Sequence, residues 1–227
     1  MEQREWTLAE RLRLCREAGS MLTVLGYAAN SATQADASPH RAAAALLLQT
    51  AGDLVRASGL LIKKGHLYAV AALSRQLLEI TYLLQYFLIA PDRASFWLSA
   101  SDKELRLAQD LKIGELRKAV GDADPHYSHH CALGGHPRRL AALLLPGSPF
   151  GKRGHGLEVQ TRAGEIKLSL RDMLTIDLLQ HLRPLLIVAI ESLEPSDFEL
   201  YQEQTDRLVK DFTSWFKQDP CSTVAPG

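Results

Sequence analysis

Only three cysteines, Cys15, Cys131 and Cys221, occur in the 227 residues. Their number is odd, their spacing is wide and no C-x-x-C is present, which excludes a disulfide framework and points to a reducing interior. Neither sign of charge is in excess: Lys plus Arg and Asp plus Glu number 26 each. A general attraction to nucleic acid or to anionic membrane is thereby excluded, and any such binding needs a local patch. The first residues, MEQREWTLAERLRL, carry charge on every turn and lack the apolar core of a signal peptide, so the expected compartment is the cytoplasm. No H-E-x-x-H and no G-x-S-x-G occurs. Gly147-Ser-Pro-Phe-Gly151-Lys152-Arg153 fails as a phosphate loop, because Arg153 stands where a Ser or Thr would hold magnesium.

What is present is helical periodicity. Residues 5–29 place Trp6, Leu8, Leu12, Leu22 and Leu25 at helical spacing, with charges on the other face. Ser38-Pro39 predicts a helix start with a capping hydroxyl, and Lys63-Lys64-Gly65 predicts its end. Residues 66–91 form the most apolar stretch, but Arg75, Glu79 and Gln85 interrupt it. Charges near a bilayer centre are costly, so it reads as the central helix of a soluble bundle, with no membrane partner. Residues 92–120 predict one more exposed helix with a break at Gly114, and the helical period vanishes from 121 to 156. The alternation in 156–170 predicts a small β-hairpin around Ala163-Gly164. Ser169-x-x-Asp172 then opens a helix expected to kink at Pro184, and 195–218 predicts the last one. The expectation is an all-α bundle of about six helices forming a single domain over 1–218, with a frayed tail at 219–227.

Two features carry chemistry. Tyr68, Ala72, Arg75, Glu79, Tyr82 and Tyr86 recur at alternating steps of four and three, which puts them on one stripe of the central helix. Charges on such a helix are expected to be at least partly buried and therefore paired. The second feature is DPHYSHHCALGGHPRR, which holds four of the eight histidines: His126, His129, His130 and His136. Its metal-ligand candidates are His126, His129 and Cys131. Zinc patterns join a close doublet to a second, distant one, however, and that second doublet is missing, so neither a metal nor another cofactor is expected. Pro137 and the preceding glycines favour a loop folded back on the bundle. His136 is therefore expected to be buried beside the stripe, with His129 and His130 exposed. Arg138, Arg139, Lys152 and Arg153, with His136 and His155, make the irregular segment 121–156 locally positive, either to meet phosphate or as an ordinary solvated patch.

Ala72-Leu-Ser-Arg75-Gln-Leu-Leu-Glu79, followed by Tyr127-Ser128 and His136-Pro137, resembles the "LxRxxxE … Y-x-x-S … H-P" pattern of an uncharacterised bacterial all-α family over about residues 40–195. Tyr and Ser are adjacent here, where the family pattern separates them. That family is similar to the HEPN superfamily of helical bundles, many of which are ribonucleases of stress and phage-defence systems. The HEPN hallmark, an Arg followed four to six residues later by His, is absent, so the resemblance implies the bundle rather than the activity. The candidate site is a composite of Arg75, Glu79, Tyr127 and His136, a different arrangement of the same residue types, with Arg75 for phosphate, Glu79 to orient it and His136 as acid–base. Three functions follow: a bundle that binds or cleaves a phosphate-containing partner such as RNA, a non-catalytic protein-interaction module or homodimer, and a metal-dependent hydrolase built on the His-rich loop.

Overall fold

The structure, a computed structural model, describes residues 4–33, 38–122, 126–131, 144, 157–161 and 164–223, without the side chains of 32, 33, 126, 129, 157–160, 197 and 198. It is all-α, with one two-stranded hairpin among the described residues. Helices α1 (Leu8–Thr33), α2 (Pro39–Lys64), α3 (Leu67–Ile89), α8 (Leu170–Glu191) and α10 (Gln202–Gln218) are the long ones. Between α3 and α8 come the short helices α4 (Pro91–Ser99), α5 (Asp102–Leu107), α6 (Ile113–Ala119) and α7 (His126–His130), then strands β1 (Leu157–Thr161) and β2 (Gly164–Leu168). A four-residue α9 (Pro195–Phe198) precedes α10.

Local signals set the boundaries. Pro39 occupies the first turn of α2, and Gly65 ends the helix at φ 81°, the left-handed conformation a Cβ disfavours. The hydroxyl of Ser38 makes no capping bond, so proline alone marks that start. At α8 the cap is made: Ser169 Oγ accepts from the Asp172 amide at 3.1 Å. The helix runs through Pro184 to Glu191. The hairpin has the expected place and pairs antiparallel from Leu157 opposite Leu168 to Thr161 opposite Gly164.

Three expectations change. The stretch 92–120 is three short helices rather than one, because Ser101 and Glu104 form a reciprocal capping box that starts α5 afresh. The last helix is likewise interrupted, by a 3-10 turn at Glu199–Tyr201. The segment expected to fray is packed up to residue 223: Asp219, Pro220, Cys221 and Ser222 are buried. The cause is Arg11, itself buried, which donates from Nε and Nη2 to Asp219 and from Nη1 to Asp172 at 2.9–3.2 Å. Trp215 Nε1 and the Cys221 amide complete the carboxylate's bonds. This cluster ties the C-terminus to α1 and α8.

α1 and α2 pack antiparallel at close range, Gly19 beside Val55 and Gly26 beside Ala45 and Gln49. With α3, α8 and α10 they enclose the main core, which includes Leu14, Leu22, Leu48, Leu84, Leu178 and Trp215. α2 and α8 are long and apolar enough to cross a membrane. Their apolar windows are 44% and 67% buried within the protein. A second apolar cluster, Leu78, Tyr82, Leu116 and Tyr127, fastens α6 and α7 to α3. That cluster positions the functional groups.

Candidate functional site

The stripe on α3 exists and is more ordered than its spacing implies. Glu79 Oε1 accepts from Arg75 Nε at 2.9 Å, one turn away on the same helix, and from Tyr127 Oη at 3.0 Å, reaching in from α7. Tyr82 donates to Asp122 at 2.7 Å, and Arg117 donates to the same oxygen at 3.0 Å. Tyr86 donates to Asp110 at 3.1 Å, and Arg93 donates to that carboxylate at 2.7 Å. Each carboxylate thus joins one arginine to one tyrosine, three times along the face.

The pair Arg75–Glu79 is partly buried rather than sealed: the side chains are 30% and 35% exposed. The short helices α4–α6 cover only part of the stripe, so water reaches the charges. Burial and the bond and charge of neighbouring groups hold the Tyr127 hydroxyl well above the usual phenol range, first by desolvation, then by Cys131 and Glu79. Tyr127 is therefore a protonated donor at neutral pH. Its ring lies against Tyr82, with centroids 6.3 Å apart, and beneath two guanidinium groups, Arg75 at 5.6 Å and Arg117 at 5.2 Å. Among the described residues, the two Nη nitrogens of Arg75 have no hydrogen-bond partner. The structure thus brings together three of the four expected site residues. His136 lies outside the described residues, as do Arg138, Arg139, Lys152 and Arg153.

The His-rich segment holds a constellation that sequence reasoning missed. His130, expected to be exposed, is 1% exposed and meets two residues of α8. Its Nε2 is 2.6 Å from Nε2 of His181, and both nitrogens are 3.2 Å from Oδ1 of Asp177. α7 explains the inversion. Tyr127 and His130 are one turn apart, so once Tyr127 docks on α3, His130 turns inward as well. Of the suggested ligands, Cys131 packs partly buried against the Tyr127 cluster and is not among the converging donors, while the side chains of His126 and His129 lie outside the described residues. A signal was available: Asp177 and His181 sit four apart inside an otherwise leucine-rich helix, and they are the second doublet that the His-rich segment lacks.

Next to this cluster a cleft of about 550 Å³ opens between α3, α8 and α10, lined among others by Tyr82, Asp122, Gln180, His181 and Arg183. Gln180 is fixed there by donating to the Ser222 carbonyl at 3.0 Å. The packed C-terminus therefore forms one wall. Compared with known family models, curated proteins and solved structures, the chain matches none.

Proposed function

We propose that this HEPN-like bundle binds a phosphate-containing partner, RNA in the first instance, on the α3 face around Arg75. One observation carries the reading. Glu79 takes only the Nε edge of Arg75, which orients the guanidinium and leaves its Nη fork for a ligand. A planar fork held in this way matches two oxygens of a phosphate. Tyr127, itself buried, lies beneath the same group, and the partial exposure of Arg75 suits a nucleic-acid backbone better than an enclosed metabolite. Cleavage by an acid–base histidine is the further step in this proposal, and His136 is its nominee.

The second reading is a non-catalytic interaction module. The threefold recurrence of arginine, carboxylate and tyrosine favours it, since the same arrangement serves at Asp110 and Asp122 to pin short helices onto α3.

Titration of a fluorescein-labelled single-stranded oligoribonucleotide by anisotropy separates the two. Arg75→Met is expected to weaken binding at least tenfold, about 1.4 kcal/mol, and to flatten the salt dependence. Arg56→Met, on a solvated face, is the control and leaves the affinity unchanged. If wild-type protein shows no binding at low salt, or Arg75→Met binds equally well, the phosphate reading fails and the interaction module stands.

A further inference from the structure

We propose that His130, Asp177 and His181 form a mononuclear site for a divalent transition-metal ion of the zinc class, with a coordination position open to the adjoining cleft. The donors are two imidazole nitrogens and one carboxylate oxygen, the set that borderline ions such as zinc and cobalt take.

Geometry supports this in three ways. First, the donor atoms converge. Two edges of their triangle are 3.2 Å and the third is 2.6 Å. A tetrahedral ion with bonds of about 2.0–2.1 Å has donor–donor edges of about 3.3 Å, so two edges already fit and the third opens by roughly 0.7 Å. The three atoms lie on a circle of radius about 1.8 Å, which places an ion at zinc distance about 1 Å out of their plane. The ligands then occupy one side of the ion, and the other is left for solvent or substrate.

Second, the carboxylate lacks what a buried charge requires. Asp177 is 5% exposed, and neither oxygen accepts a hydrogen bond of good geometry. No Lys or Arg pairs with it among the described residues. An anion in such a place calls for a cation. Protons answer this poorly: with both Nε2 atoms protonated, the hydrogens would collide across 2.6 Å. An ion at the centre satisfies all three donors together.

Third, the site has access. His181 belongs both to the buried triad and to the cleft wall. Asp177 and His181 are one turn apart on a rigid core helix, the kind of support that fixes ligands well. Three protein ligands with an open position is the arrangement of a catalytic rather than a structural zinc site, where the ion acts as Lewis acid and lowers the pKa of its water.

The inference rests on residues distinct from Arg75 and Glu79, so failure of RNA binding leaves it standing. The experiment is titration of full-length, chelator-stripped protein with cobalt(II), followed by its visible d–d absorption, with zinc affinity then taken by competition. One ion per chain is expected, with the intense bands of a four- or five-coordinate site. Asp177→Asn and His181→Gln should each lose at least hundredfold in affinity, while the His126→Gln/His129→Gln double variant keeps it. Circular dichroism confirms that the variants fold. Should one fail to fold, imidazole NMR of wild-type protein during zinc titration decides, with the His130 and His181 resonances shifting. No stoichiometric ion in folded wild-type protein overturns the proposal. So does binding that survives His181→Gln, or that disappears with His126 and His129.

Discussion

Gly52 and Gly59 stand two turns apart on α2 and answer alanine with opposite signs. A Cβ at Gly52 would lie 2.1 Å from Thr23 Oγ1, 2.7 Å from the Gly19 carbonyl and 2.9 Å from the Thr23 amide. The hydroxyl is already committed, donating to Gly19 O at 3.0 Å, and the other two atoms are backbone of α1. Rotating a side chain cannot clear them, so α1 and α2 must separate along their contact. Overpacking of this kind costs about 1–3 kcal/mol, and backbone obstruction puts Gly52→Ala at the upper end. At Gly59 nothing lies within 4 Å of the new methyl. The helix there gains alanine's propensity, about 0.5–1 kcal/mol. Urea unfolding at 25 °C, followed by tryptophan fluorescence, reads both. With a slope of about 2 kcal/mol/M, Gly52→Ala should lower the midpoint by about 1.5 M and Gly59→Ala raise it by about 0.3–0.5 M. A Gly52→Ala midpoint within 0.2 M or so of wild type would refute the close approach of the two helices.

Asp219→Ala strands the buried guanidinium of Arg11 with only Asp172. It should cost about 3–5 kcal/mol in the same unfolding assay, whereas Arg11→Met combined with Asp219→Leu should cost far less. Equal losses would contradict the charge argument. Glu79→Ala should cost only about 1 kcal/mol, because solvent screens a pair this exposed; a loss above about 3 kcal/mol would show the stripe to be sealed. Asp177 has a depressed folded-state pKa, so its stabilising contribution is complete at neutral pH and is lost as the pH falls below the unfolded carboxylate value of about 3.9. Metal-free wild type should therefore lose stability more steeply between about pH 5 and 2 than Asp177→Asn. Parallel profiles would show Asp177 to be unperturbed.

What could be read along the chain is what neighbouring residues decide. Pro39, Gly65 and the Ser169–Asp172 cap mark helix ends because a cap acts within one turn. Arg75 and Glu79 were legible as a pair because four residues of α-helix bring them together whatever the fold. The all-α class followed from the same short-range periodicity. The breaks at Ser101 and at Glu199 were also local, but weak beside a helical pattern that ran straight through them. Tertiary structure decided everything that joins distant segments. Tyr127 reaches Glu79 across 48 positions, His130 reaches His181 across 51, and Arg11 reaches Asp219 across 208. No periodicity encodes such meetings, because they depend on which face of α7 docks on α3 and on how the C-terminus closes over α1. The Asp177–His181 doublet shows the division plainly. Sequence alone put both residues on one face of an apolar helix, while packing brought His130 to them and made three donors out of two.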